Sequence, residues 1–278
     1  MIALLVNSKA GKSQSLKISG YITEQLILKN ISHKNFIDQW PDELISFSEV
    51  WIIGGDGTIN YFLNKYYSCK LPIAVFKGGT GNDIAWKMYG DRDNAQILDH
   101  LLQCKNRWVD AGVCNNRYFI NGIGIGFDGE VLKRMKSIRI FGGHLGYLLV
   151  VLQKIISFRE ISDEITIDGK AINEKLLLLL VFNSSRTGGG FYVAPQASIN
   201  DGFLNFIFCK PLSVLKRLKY LPVIEKGKHL HLPFIIHNTC CQIDIKCSQE
   251  VPAQCDGDLI FSDHFSIKIL PAHFLFRY

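Results

Sequence analysis

Val50-Trp51-Ile52-Ile53-Gly54-Gly55-Asp56-Gly57-Thr58-Ile59-Asn60 joins a short apolar run to a glycine-rich loop and then to a helical pattern expected to begin near Ile59. Glycines let a backbone approach a phosphate without a Cβ in the way, and a helix start offers unpaired N–H groups to an anion. A carboxylate beside phosphates is repelled unless a metal ion lies between them. Asp56 is therefore a candidate for holding Mg²⁺ directly or through water. A side chain at Gly55 or Gly57 is expected to push the backbone off the phosphates or to demand a forbidden φ. The alternative is a plain tight turn, because glycine pairs often follow strands and Asp caps helices well.

A second loop of the same kind, Gly78-Gly79-Thr80-Gly81-Asn82-Asp83, follows the apolar run Ile73–Phe76 and also opens a helical pattern. Upstream, Ile2–Val6 leads through Asn7-Ser8-Lys9-Ala10-Gly11-Lys12 into a segment with Ile18, Ile22 and Leu26 at helical spacing. This alternation predicts a parallel sheet layered with helices, with both glycine loops at strand C-terminal ends, where open α/β sheets bind ligands. A Walker A loop is excluded, since its spacing requires glycine where Val6 stands. Gly122-Ile123-Gly124-Ile125-Gly126 is a weak match to a dinucleotide fingerprint; it is expected to lack a helix opening and reads as close strand packing.

From about residue 113 the pattern changes to strands joined by turns. Glu164–Ile167, the turn Asp168-Gly169, Leu176–Phe182, Phe203–Cys209 and the alternating Cys241, Ile243, Ile245 and Cys247 predict a β-rich second domain, with Leu145–Phe158 as an amphipathic helix upon it. The expected division is 1–112 and 113–265, and the closing segment 266–278, which includes part of the run Phe265–Leu270, is open to returning to the first domain.

The whole-chain numbers set limits on function. At 278 residues, 47% hydrophobic and 20% charged, the chain is an ordinary folded protein with room for two cores. A net charge of +6 suits phosphates, nucleotides or an anionic membrane better than nucleic acid. Eight cysteines without paired CxxC spacing, two of them vicinal at Cys240 and Cys241, predict reduced thiols and a cytoplasmic location. Met1–Val6 is too short for a signal-peptide core and no apolar run is long enough to span a bilayer, so membrane contact is expected to be peripheral. Lys133, Arg134, Lys136 and Arg139, interleaved with Leu132, Met135 and Ile138, fit either an anionic bilayer or a solvated helix face. The histidines, including His229 and His231, show no metal spacing.

Taken in order, Asn7–Gly11, Gly54–Asn60, Gly78–Ala85, Asp110, Tyr118–Gly122, Asn183, Gly188–Gly190, Ala194-Pro195, Asn200-Asp201-Gly202 and Asp256-Gly257-Asp258 resemble the diacylglycerol and sphingosine kinase-like lipid kinases, particularly small bacterial members. The resemblance spans nearly the whole chain. It implies an N-terminal open α/β nucleotide-binding domain and a C-terminal antiparallel β-sandwich, with the active site in the cleft between them. ATP would contact Asn7, Gly54, Gly55, Asp56, Gly57, Thr58, Ile59, Asn60 and Thr80, while Asp56 and Asp83 serve metal and phosphates and Asp110 stands behind them as a supporting acid. Asp201, with the carbonyls of Ser198 and Phe203, would hold a structural Mg²⁺, the alternative being an Asn-Asp-Gly turn without metal.

Asp258 stands where the family usually has glutamate as general base, one methylene shorter in reach, and Asp256 is the fallback. The implied function is ATP-dependent phosphorylation of diacylglycerol or a related membrane lipid such as phosphatidylglycerol or a sphingoid base. NAD kinase, which shares the Gly-Gly-Asp-Gly-Thr loop, is the alternative enzyme. A catalytically silent lipid-binding regulatory protein is the alternative of another class. A homodimer is left open.

Overall fold

The computed structural model describes residues 1–138, 144–158, 163–172 and 174–278. In chain order, β1 (Ile2–Val6), α1 (Gln14–Leu28), β2 (His33–Ile37), β3 (Glu49–Gly54), α2 (Asp56–Lys65), β4 (Ile73–Lys77), α3 (Asp83–Tyr89) and α4 (Asn94–Leu101) come first. The strand-rich part follows with β5 (Asn106–Cys114), β6 (Arg117–Phe119), β7 (Gly122–Ile125), α5 (Phe127–Ile138), α6 (His144–Ser157), β8 (Asp163–Ile167) and β9 (Lys170–Ile172). It closes with β10 (Leu178–Phe182), β11 (Leu204–Cys209), α7 (Val214–Glu225), β12 (Ile235–Cys240), β13 (Gln242–Cys255) and β14 (Asp258–Arg277). Two units result: Met1–Val109 with Ala272–Tyr278, and Asp110–Pro271.

In the first unit the strand order is β14-β4-β3-β1-β2, and every pairing is parallel, the end of β14 joining through Phe276 opposite Ile73. Residues 3–6, 50–53 and 73–76 are buried along their whole length. A parallel sheet covered on both faces requires such continuous apolar strands. Ile18, Ile22 and Leu26 of α1 are buried at the predicted helical spacing. The helix after the first glycine loop begins at Asp56 rather than near Ile59, so Asp56 and Gly57 belong to its first turn.

The second unit is antiparallel, ordered β12-β11-β10-β7-β13-β14, with β8 and β9 attached through β13 and with β5 paired to β14 and β6. β13 serves two neighbours: Ile243–Cys247 pair with β8 and Ala253–Cys255 with β7, the register shifting against β14 between Lys246 and Val251. Such a bulge bends a strand from one sheet layer into another. In β10, Leu179 and Val181 enter one core with Phe206, Phe208, Ile243 and Phe265, whereas Leu180 and Phe182 enter another with Phe191 and Ile207. Alternation at a period of two explains why this strand reads as an unbroken apolar run.

Three tight hairpins share one device. Asn115-Asn116, Asp168-Gly169 and Asp256-Gly257 all have positive φ at both positions and connect β5 to β6, β8 to β9 and β13 to β14. That is the type I′ geometry that matches the twist of antiparallel strands. The Gly122–Gly126 run does open a helix, since α5 starts at Phe127, which corrects the expectation. It is nonetheless no nucleotide loop: β7 lies antiparallel between β10 and β13, and a Cβ on Gly122 would fall 2.5 Å from the Phe182 ring. The eight cysteines are free thiols. Among the described residues no helix is long and apolar enough to cross a membrane.

The two glycine loops of the first unit touch backbone to backbone, and a Cβ on Gly79 would lie 2.4 Å from the Gly55 Cα. Gly79→Ala is expected to cost about 1–3 kcal/mol through overpacking, read as a lower urea midpoint. Nothing lies within 4 Å of a Cβ at Gly57. Gly57→Ala should leave the midpoint unchanged or raise it, since alanine suits a helix better than glycine.

Candidate active site

In the first unit, the backbone sets the loop. Gly55 is the N-cap of α2, and its carbonyl accepts from the N–H groups of Thr58 and Ile59 at 2.9 and 3.1 Å. Asn7 donates its Nδ2 to Thr58 Oγ1 at 2.9 Å, tying the β1 loop to the first turn of α2. Gly78 N donates to Gly54 O at 2.9 Å, so the second glycine loop is bonded to the first. Asn82, at φ 53°, closes that second loop by accepting from Gly79 N and donating to Gly79 O, both at 2.8 Å.

The two acids meet where the helices start. Asp56 Oδ1 accepts from Ile84 N at 3.0 Å, so Asp56 caps the neighbouring helix α3 rather than its own. Burial, and secondly the buried Asp83 carboxylate nearby, push the Asp56 carboxyl up to about 6. A carboxyl poised at that value with two helix N-termini beside it is set to bind a cation or give up its proton when one arrives. Thr80 and Gly57 are exposed, whereas Ile59 and Asn60 are buried and the Asn60 Oδ1 accepts from Asn64 Nδ2 at 3.3 Å. The side chains of Ile59 and Asn60 therefore serve the interior. Neither Gly55 nor Gly57 has a positive φ, so the forbidden-φ part of the expectation falls and close approach remains as the reason at Gly55.

A cavity of ≈ 290 Å³ brings Asn7, Gly57 and Thr58 together with Lys9, Asp38, Trp40 and Tyr61, none of which the sequence singled out for a site. Ser8 donates both its N–H and hydroxyl to Asp38, holding that carboxyl below its ordinary value. The Trp40 and Tyr61 rings meet edge to face at 5.3 Å, an aromatic wall of the kind on which planar bases stack. Trp40 lies outside any periodic element, so spacing carried no signal for it.

In the second unit, Asp110 grips the segment Ser198–Phe203. Its N–H donates to Ile199 O and its Oδ2 accepts from Gly202 N, both at 2.7 Å. Asp201 Oδ1 accepts from Phe203 N at 3.1 Å, and Ser198 Oγ donates to Asn200 Oδ1 at 2.8 Å. Asp201 is exposed and accepts from Phe203 N through Oδ1, and one carboxylate with backbone carbonyls and water is the donor set that suits a hard cation. The buried Asn183 extends the same network, donating Nδ2 to Asp110 O at 3.0 Å and to Ile120 O at 3.1 Å.

Asp256 is the other end of that network. Its carboxylate accepts from the N–H groups of Ile120, Asn121 and Gly122 at 2.7, 3.0 and 2.9 Å. With three donors on a buried carboxylate, Asp256 is a structural anchor, which removes it as a fallback base. Asp258, two residues on, is half-exposed and stands 3.6 Å from the Arg117 guanidinium, a partner the sequence did not reveal. A separate, largely apolar cavity of ≈ 80 Å³ is walled by Val151, Ile155, Leu180, Tyr220 and Leu221, with Asp128 among its lining residues. Burial pushes the Asp128 carboxyl up to about 6.

An α/β unit with paired glycine loops and a β-sandwich organised by buried acids are the two parts of a two-domain kinase. Residues 1–114 match the diacylglycerol kinase catalytic domain, and residues 121–275 match the YegS C-terminal NAD kinase beta sandwich-like domain. The chain belongs to the diacylglycerol kinase-like lipid kinase family. It is 27% identical to a diacylglycerol kinase of Bacillus subtilis (strain 168), over 77% of this chain and 72% of that one. It is 28% identical to a probable lipid kinase YegS-like of Shewanella frigidimarina (strain NCIMB 400), over 80% of this chain and 74% of that one. A solved diacylglycerol kinase structure from Bacillus anthracis str. Sterne superimposes with a TM-score of 0.76 at 20% identity, covering 100% of this chain and 96% of that one. At that identity the likeness is one of fold. The NAD kinase likeness is that of the sandwich domain's class, a distant relation.

The Asp56 carboxyl binds its proton more tightly folded than unfolded, where its value is 3.8. Its contribution to stability is therefore present below about pH 4 and lost as pH rises through about 6. Asp56→Asn keeps an acceptor for Ile84 N without the charge. The thermal midpoint of this variant is expected to exceed that of the wild type by a margin that grows from about pH 4 to pH 7; a constant difference would refute an Asp56 that titrates in this range.

Proposed function

We propose that this chain transfers the γ-phosphoryl group of ATP to a hydroxyl of a membrane lipid, with diacylglycerol as the first candidate. The observation that carries the reading is the pair Asp56 and Asp83 at the starts of α2 and α3, helices drawn together by glycine loops. Helix N-termini attract phosphates, whereas two adjacent carboxylates repel them unless a cation intervenes. Asp56 and Asp83 fit Mg²⁺ on that ground, and Asp201 with the Ser198 and Phe203 carbonyls fits a second, structural ion. When bound, Mg²⁺ neutralises charge on the transferring phosphates. The lipid part of the reading is supported by the relatives' names and by the apolar cavity in the second unit.

The chain's own residues then divide the work. Exposed Gly57 and Thr80 bring backbone and hydroxyl to the nucleotide, and Trp40 and Tyr61 offer an aromatic wall for its base. Asp110 and Asn183 hold the Asp201 loop. Asp258 is assigned the proton of the attacking hydroxyl, with Arg117 orienting its carboxylate. Because that pair is half-exposed, its worth lies in orientation more than in stability.

Transfer of label from ATP to a panel of lipids in mixed micelles tests the reading. Asp258→Asn is expected to lower kcat by roughly 10²–10⁴ with ATP affinity barely changed. Near wild-type turnover in a folded Asp258→Asn protein would reject the base. Label appearing on NAD instead of lipid would establish the alternative enzyme, and no transfer to any acceptor would favour the silent lipid-binding protein. Gly57→Val, at a position with open space around it, should weaken ATP binding by calorimetry; unchanged affinity in a folded variant would sink the phosphate-cradle assignment.

A further inference from the structure

Helix α7 has two unlike faces and no fully buried residue. On its inner side Tyr220, Leu221 and Ile224 line the apolar cavity. Arg217 ties the helix down by donating Nε to Leu212 O at 2.8 Å and Nη1 to Ile155 O and Phe158 O at 3.2 and 2.7 Å, at the C-terminal end of α6. Its outer side carries Leu215, Leu218, Lys219, Pro222 and the following Lys226, spaced three, four, seven and eleven residues from the first and so forming one stripe, flanked by Lys216. All six are exposed, Leu215 at 79%. On α6, Leu149 and Ile156 are exposed too, at 66% and 64%.

The charges of this segment are nearly all of one sign; Arg217 is held by carbonyls and Lys219 lies over the Tyr220 ring at 5.5 Å. Lys216, Arg217, Lys219, Lys226 and Lys228 stand against Glu225 alone in residues 214–228. Among the described residues no carboxylate forms an ion pair with Lys216, Lys219, Lys226 or Lys228, whereas Lys133, Lys154 and Lys210 all have such partners. The cluster on α5, which fits either a bilayer or a solvated helix face from sequence, has partners within the protein: Lys133 pairs with Glu130 at 3.7 Å and lies over the Phe261 ring, and Arg134 donates to Gln153. Arg139 and the side chain of Lys136 lie outside the described residues.

Exposed leucines between lysines that no described carboxylate neutralises, on one helical face, match the chemistry of an anionic bilayer surface. The leucines enter the acyl boundary, the lysines meet lipid phosphates, and the helix lies in the interface plane. We propose that the outer face of α7 is the membrane-docking surface of this chain, and that its occupant is an anionic bilayer. The inference rests on the lipid-kinase reading for its purpose, and it names the surface through which that substrate class is met.

Co-sedimentation of the full chain with vesicles of phosphatidylglycerol in phosphatidylcholine, against phosphatidylcholine alone, tests this surface. Wild-type protein should partition onto the anionic vesicles and release as salt rises. Lys216→Glu with Lys219→Glu should reduce partitioning at least about tenfold. Leu215→Ser with Leu218→Ser should reduce it even at low salt, both variants keeping wild-type transfer to a short-chain, water-soluble acylglycerol. Wild-type partitioning in both double variants would overturn the assignment. So would a concentration-dependent dimer that the leucine variant dissolves while vesicle binding persists, since the face would then be a contact between copies. Docking that depends on α7 in a protein that phosphorylates no lipid would uphold this surface and remove the kinase reading.

Discussion

Gly55 and Gly79 approach so closely that neither has room for a side chain, and the arrangement of the first unit follows from that contact. It lets β3 and β4 end side by side and lets α2 and α3 begin there, so that Asp56 of one helix caps the other through Ile84 N. The same approach shields Asp56 from water beside Asp83, and burial, with the Asp83 carboxylate second, raises the Asp56 carboxyl to about 6. A protein selected for stability alone has little use for a partly and a fully buried acid at adjoining helix starts. A cation and a phosphate chain would relieve that conflict, so the repulsion and the proposed chemistry fall at one place.

The second unit solves a comparable problem with hydrogen bonds instead of glycines. Asp110, Asn183 and Asp256 link three irregular stretches: the Asp201 loop, the Ile120–Gly122 turn and the β13–β14 hairpin. Each bond satisfies a backbone group that a loop would otherwise leave without a partner away from water. Asn183 is central because one amide nitrogen serves both Asp110 O and Ile120 O. Removing it takes a donor from both carbonyls and with it the bonds by which Asn183 joins the two.

Period and punctuation made much of this legible in the sequence. Ile18, Ile22 and Leu26, the continuous runs before both glycine loops, and the alternation of Cys241, Ile243 and Ile245 depend on local periodicity, and they name α1, β3, β4 and β13. The glycine loops were legible as loops, but their reason was not: the neighbour that excludes a Cβ at Gly55 is Gly79, which is distant in sequence. Arg117 beside Asp258 and Trp40 beside Thr58 are brought together only by tertiary folding, so no spacing announces them. Asp256-Gly257 carried a signal that was open to reading, since Asp-Gly between alternating apolar residues marks a type I′ hairpin.

That hairpin governs what Asp258 can do. A two-residue turn with both φ values positive fixes the register in which Cys255 faces Asp258, so the acid leaves a strand whose position is set by the ladder rather than a mobile loop. The preceding Asp256 is held by three backbone donors, so of the two carboxylates in Asp-Gly-Asp it is Asp258 that the proposed base role falls to. Its side chain is one methylene shorter than glutamate, and a fixed backbone cannot slide to make up the difference. In the proposed base role the missing reach would have to come from a bridging water or from a closer approach of the acceptor hydroxyl. Arg117, 3.6 Å away, makes the choice sharper, because a guanidinium paired with the carboxylate narrows the directions from which a hydroxyl can approach.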